Sequence, residues 1–159
     1  DMMTVLAQDW GYQIRCIQPA LTCDFLVGWT KEPAISKDLV EQVKSAIDDY
    51  FLSQTQRQVN LLAAALTGGD KTAVKASLEE VSSLLAGLSP AIYTAKLSQL
   101  KAAAEGLDCV AKSSGAGGGD CGIALVFNVE DKQILLQRWQ LAGIELLHQE
   151  RMGEYESES

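Results

Sequence analysis

Lys112-Ser113-Ser114-Gly115-Ala116-Gly117-Gly118-Gly119-Asp120-Cys121 gathers the residue types that hold a phosphate group: a lysine, two hydroxyls and four glycines within five positions. Glycine has no Cβ, so it admits positive φ and lets backbone N–H groups converge on phosphate oxygens. Ser113 and Ser114 add hydroxyl donors, and Lys112 adds a compact positive charge. Two plainer readings compete. A Gly/Ser tract can be a flexible linker, and a hairpin loop can tolerate glycine with no ligand at all. Against the first, Val110-Ala111 and the run Gly122 to Phe127 both read as buried strand, and a linker between two halves of one sheet is improbable. Against the second, the run is longer than the ~2–5 residues that a hairpin turn needs. The segment is neither a Walker A loop nor a dinucleotide fingerprint, because no Gly-Lys-Ser/Thr follows the glycines and no long helix opens on them.

Other chemistry is thinly represented. The four cysteines, Cys16, Cys23, Cys109 and Cys121, form no Cys-x-x-Cys pair, and His148 is the sole histidine, so metal-ligand spacing is absent. Cys16, Cys23 and Cys109 lie among apolar strand residues and read as small buried hydrophobes in a reduced compartment. His148 alternates with Ile144 and Leu146 and reads as a satisfied structural histidine. A net charge of −8 with 13 Lys and Arg disfavours a nucleic-acid surface, which needs clustered cations. No apolar run approaches the ~20 residues of a spanning helix, which predicts a soluble, cytoplasmic protein.

The elements that must position the glycine segment follow from periodicity. At 159 residues with 47% hydrophobic content, one domain with a real core is expected. Tyr12 to Ile17 and Phe25 to Trp29 read as strands able to pair as a hairpin. Asp38 is the predicted cap of a helix whose apolar face holds Leu39, Val43, Ile47, Tyr50 and Phe51. A second helix near Gln56 to Leu66 ends at Gly68-Gly69. Asp70 caps a third, with Val74, Leu78, Val81 and Leu85 inward and Gly87 closing it. Ser89-Pro90 starts a fourth, through Ile92, Tyr93, Leu97 and Leu100 to Gly106. Val110 to Ser113 enters the glycine loop and Ile123 to Val129 leaves it, as neighbouring strands. A last helix, Asp131 to Leu141, buries Ile134, Leu135 and Trp139 before the strand Ile144 to His148. Residues Gly153 to Ser159 form an acidic tail expected to fray. This order predicts an α+β fold, a largely antiparallel sheet with helices packed on one face.

The segment Lys112 to Cys121 also resembles the third motif of the GHMP kinases, the superfamily of galactokinase, homoserine kinase and mevalonate kinase. Cys23 to Lys31, Trp139, Gly143 to Leu147 and Gln149 to Arg151 look like the phosphomevalonate kinase branch of Gram-positive bacteria. The likeness covers nearly the whole chain. It implies a GHMP kinase C-terminal domain over residues 1–152, separated from the N-terminal domain that carries the ATP-binding glycine/serine loop. It implies transfer of the ATP γ-phosphoryl group to 5-phosphomevalonate in the mevalonate route to isoprenoids, with ATP and Mg2+ held mainly by that N-terminal domain. The acceptor phosphate would be cradled by Lys112, Ser113, Ser114, Gly115, Ala116, Gly117, Gly118 and Gly119. Asp120 would stabilise the loop, accept a substrate hydroxyl or cap the next segment. Trp29, Thr30 and Lys31 could reach the cleft, although a packed tryptophan at a strand end is commoner. No residue here is a credible general base or ATP clamp, so residues 1–159 alone are expected to be catalytically silent, with no metal site. Another GHMP enzyme, such as mevalonate kinase or diphosphomevalonate decarboxylase, shares the loop, and a non-catalytic phosphate-binding module could keep it without the chemistry.

Overall fold

The computed structural model describes residues 5–7, 12–14, 19–32, 37–89, 92–114 and 121–152. Two short strands, β1 (Val5–Ala7) and β2 (Tyr12–Ile14), pair with each other. The main sheet has four antiparallel strands in the order β4-β5-β3-β6, formed by β3 (Cys23–Trp29), β4 (Cys109–Ser113), β5 (Cys121–Val126) and β6 (Glu145–Met152). The hairpin expected between Tyr12–Ile17 and Phe25–Trp29 is therefore not formed. β3 is a central strand with β5 and β6 on its two sides, which leaves β2 to pair with β1.

Five helices among the described residues complete the α+β fold: α1 (Lys37–Ala46), α2 (Asp49–Gly68), α3 (Lys71–Leu88), α4 (Ala95–Ala102) and α5 (Val129–Leu141). Four of them, α2 to α5, divide between both faces of the sheet, a correction to the one-face expectation. Leu26, Ala111, Ala124 and Val126 point to one side and bury Leu97 and Leu100 of α4 with Leu135 and Trp139 of α5. Their neighbours Cys23, Val110 and Leu125 point to the other, against Ala65 of α2 with Val74 and Leu78 of α3. Strand side chains alternate between faces, so a strand apolar at consecutive positions needs cover on both. Within α5, Leu135 and Trp139 are buried as expected, whereas Ile134 is exposed.

Several helix ends follow their local chemistry. Asp70 has an extended backbone and accepts the Ala73 N–H, and Gly69 closes α2 in the left-handed region at φ 74, sending its N–H to Ala65 and Leu66 carbonyls. Elsewhere caps override periodicity. The stripe expected to run unbroken from Leu39 to Phe51 is cut at Ile47-Asp48, because the Asp48 carboxylate accepts the Phe51 N–H at 2.8 Å and begins α2. Asp38 falls inside α1 rather than at its cap. The fourth helix starts at Ala95, capped by Thr94, and Ser89 instead ends α3. No helix among the described residues is long and apolar enough to cross a membrane.

Candidate functional site

β4 and β5 flank the glycine segment as neighbouring strands, as the sequence predicts, and they pair antiparallel with Ser113 opposite Gly122. Gly115, Ala116, Gly117, Gly118, Gly119 and Asp120 lie outside the described residues, so the geometry of the candidate site is that of its stem. Ser114 is exposed, and its N–H donates to the Cys121 carbonyl at 3.1 Å, closing the stem. Ser113, by contrast, is fully buried. Its side chain shares a sheet face with Gly122, over which α4 packs so closely that a Cβ on Gly122 would stand 2.6 Å from Leu100 Cδ2.

Lys112 points to the opposite face and is 92% removed from solvent, at 8% exposure. Its Nζ donates to the Ser113 carbonyl at 2.5 Å, and among the described residues no carboxylate pairs with it. Burial without a counter-charge pushes the lysine pKa down, because the charged form loses hydration. The expected positive charge thus stands at the root of the loop, inside the fold. An arriving anion would restore what desolvation removes.

The stem is braced from its open side. β4 is an edge strand, and the Tyr93 hydroxyl accepts its Ser113 N–H at 3.0 Å while sharing a 2.5 Å hydrogen bond with Ser82 Oγ of α3. Sequence reading put Tyr93 on a helical apolar stripe, where nothing in the spacing signals a partner for the hydroxyl. Beside this bridge runs a groove of about 360 Å³ lined by Glu79, Ser82, Tyr93, Ser98, Lys101 and Cys109, and spanned by the 2.8 Å Lys101–Glu79 ion pair. The Cys109 thiol there is buried, which pushes its pKa up to about 11 and keeps it an inert thiol. Cys23 is buried as expected, and Cys121, beside the loop, is half-buried; Cys16 lies outside the described residues.

The remaining candidates stand elsewhere. Thr30 is buried at the end of β3, and Lys31 is exposed with a positive φ of 68. Trp29 is half-buried opposite Cys121, the first residue after the glycine loop. His148 is exposed and has a partner in the Glu150 carboxylate at 3.2 Å, so it is a satisfied histidine at the surface. The cause is a bulge: Val27 pairs with His148 but Gly28 with Leu146, so one extra residue puts His148 on the other face from Leu146. Sequence reading also missed Asp24, nearly buried, whose carboxylate meets Arg151 at 2.8 Å and Lys132 at 3.4 Å and ties β3 to β6 and α5.

Residues 62–145, from α2 through the first residue of β6, match the family model of the GHMP kinases C terminal. The chain belongs to that family. This GHMP domain is 35% identical over 146 residues to the phosphomevalonate kinase of Streptomyces sp. (strain CL190), a match covering 84% of this chain and 39% of that relative. It superposes on the crystal structure of Streptococcus pneumoniae phosphomevalonate kinase with a TM-score of 0.88 at 50% identity, covering 92% of this chain and 45% of that one. The same enzyme in complex with phosphomevalonate and AMPPNP superposes with a TM-score of 0.86, again at 50% identity. The chain spans less than half the length of each of these proteins.

Proposed function

We propose that this GHMP domain is the C-terminal part of a phosphomevalonate kinase, and that the segment Lys112 to Asp120 cradles the acceptor phosphate. The observation that carries the reading is the 50% identity, across 92% of the chain, to an enzyme whose complex holds phosphomevalonate and AMPPNP. The stem geometry supports it, since Ser114 faces solvent where the strand ends, while two residues behind it stands the buried Lys112 ammonium, with no carboxylate partner among the described residues.

In the proposed reaction an oxygen of the phosphomevalonate phosphate attacks the γ-phosphorus of ATP. A new P–O bond forms as the bond to ADP breaks, giving diphosphomevalonate. The nucleophile is already largely ionised near neutral pH, so no strong base is needed, and the task is to align two polyanions and neutralise the charge between them. Ser114 Oγ and the amides of Gly115 to Gly119 bind and orient acceptor oxygens. The Lys112 ammonium holds the Ser113 carbonyl and lends positive potential to the loop. ATP and Mg2+ are held mainly by an N-terminal domain facing this loop. The chain alone is then catalytically silent. The free thiols of Cys23 and Cys109 suit a reducing cytoplasm.

The test is ADP release by the whole protein carrying this chain, with mevalonate, phosphomevalonate and diphosphomevalonate supplied in turn. Turnover with phosphomevalonate alone is expected. Preference for mevalonate, or CO2 release from diphosphomevalonate, would assign another GHMP activity, and micromolar binding without turnover would make this a binding module.

A further inference from the structure

We propose that Tyr93 is a positioning residue for the phosphate loop, an inference that rests on the reading above. β4 pairs with β5 on one side, and among the described residues no strand lies on its other side. The Ser114 N–H points toward β5, where it meets the Cys121 carbonyl. Successive amides of a strand point to opposite sides, so the Ser113 N–H points out of the sheet.

That outward amide is the last one before Ser114, and the Tyr93 hydroxyl accepts it at 3.0 Å. The same hydroxyl is held at 2.5 Å by Ser82 Oγ, itself 1% exposed within α3. Tyr93 immediately precedes Thr94, the cap of α4. One phenol oxygen therefore fixes the end of β4 against two helices. From the other side, the Lys112 ammonium pins the Ser113 carbonyl. The Ser113 peptide groups are thus held by Tyr93 at the nitrogen and Lys112 at the oxygen. Their orientation sets where the chain delivers Ser114. An alignment error near 1 Å is enough to weaken phosphoryl transfer, so a group that holds this peptide acts on the reaction without touching substrate.

The alongside groove makes the contact separable from folding. Tyr93 lines this space of about 360 Å³, and Tyr93→Phe removes only the phenol oxygen there, so the variant is expected to keep its ring packing and the fold.

The test compares Tyr93→Phe with the unsubstituted whole protein, using Ser98→Ala, in the same groove but outside the bridge, as control. Two readouts are taken: hydrogen exchange resolved to the Ser113 and Ser114 amides, and steady-state kinetics with phosphomevalonate and ATP. Expected for Tyr93→Phe are faster exchange at both amides, kcat/KM for phosphomevalonate lowered about threefold to tenfold, and an ATP KM that barely moves. Ser98→Ala should change neither. Faster exchange at Ser113 alone with unchanged kinetics would reduce Tyr93 to a cover for the strand edge and overturn the proposal, as would unchanged exchange at both amides. Failure of the unsubstituted protein to use phosphomevalonate would sink the reading of function instead, and the exchange rates would still report whether Tyr93 orders Ser114.

Discussion

Leu100 and Gly122 meet without room for one more carbon: a Cβ on Gly122 would stand 2.6 and 2.8 Å from the two Leu100 Cδ atoms and 3.0 Å from the Lys112 carbonyl oxygen. α4 thereby rests on β5 at the second residue after the glycine loop. The close approach couples the loop's exit strand to the helix that follows Tyr93.

Gly122→Ala should therefore destabilise the fold by about 1–3 kcal/mol, since the backbone oxygen cannot yield as the leucine tips can. At this chain length ~1 kcal/mol lowers Tm by roughly 2–4 °C. Gly87→Ala is the comparison, because nothing lies within 4 Å of the added carbon. Thermal unfolding should show a clear loss for the first variant and no loss for the second. Equal Tm values would refute the packing argument.

Acid should weaken the domain through Asp24 and Asp108. Burial alone would raise the Asp24 pKa, but hydrogen bonding to Arg151 and the nearby Lys132 charge hold it below its ordinary value of 3.8. Hydrogen bonds from Lys71, opposed by burial and reinforced by Lys75, do the same for Asp108. A carboxylate with a lowered folded pKa stabilises above its unfolded pKa and loses that contribution as pH falls through the folded one. Stability should be flat above pH ~5 and decline below ~4. Asp24→Asn should cost about 1–3 kcal/mol at neutral pH and flatten that acid limb. An acid limb unchanged in the variant would exclude Asp24 as a source.

How far the fold was legible from sequence depends on whether the deciding interaction was local. Asp70 and Gly69 act within one helical turn, so their capping roles can be read from residue type alone. The β4–β5 pairing follows because two apolar runs flank one loop. The break at Asp48 was hidden by the apolar residues Val43, Ile47, Tyr50 and Phe51, which continue the helical period across it. Helices on both faces were signalled by the consecutive apolar residues Cys109, Val110 and Ala111, whose lack of alternation outweighs the element order used to infer a single covered face. At the site, residue types marked Lys112 to Ser114, but which of them is exposed depends on strand direction and on α4. The Tyr93–Ser113 contact joins residues 20 apart and leaves no trace in local pattern.

Ser114→Ala should lower kcat/KM for phosphomevalonate by about tenfold to a hundredfold, the range for losing a ~1.5–3 kcal/mol hydrogen bond to a charged group. Its exposed position makes a folding defect a poor explanation. Steady-state kinetics should show the ATP KM moving far less. Equal effects on both substrates would indicate a generally disturbed cleft.

Gly117→Val places a branched side chain where backbone amides must approach phosphate. The whole protein should show a higher acceptor KM, a lower kcat, or both, with Tm little altered. An unchanged kcat/KM in a folded variant would return the glycines to the status of a plain hairpin loop.

The most direct measurement is a residue-resolved amide titration of the whole protein with phosphomevalonate in the presence of AMPPNP. The account predicts that, within this chain, the largest shifts cluster at Ser113 to Gly119 and saturate together, and that mevalonate at the same concentration leaves them nearly unmoved. Shifts centred instead on the groove between Glu79, Tyr93 and Lys101, with the glycine amides silent, would contradict it.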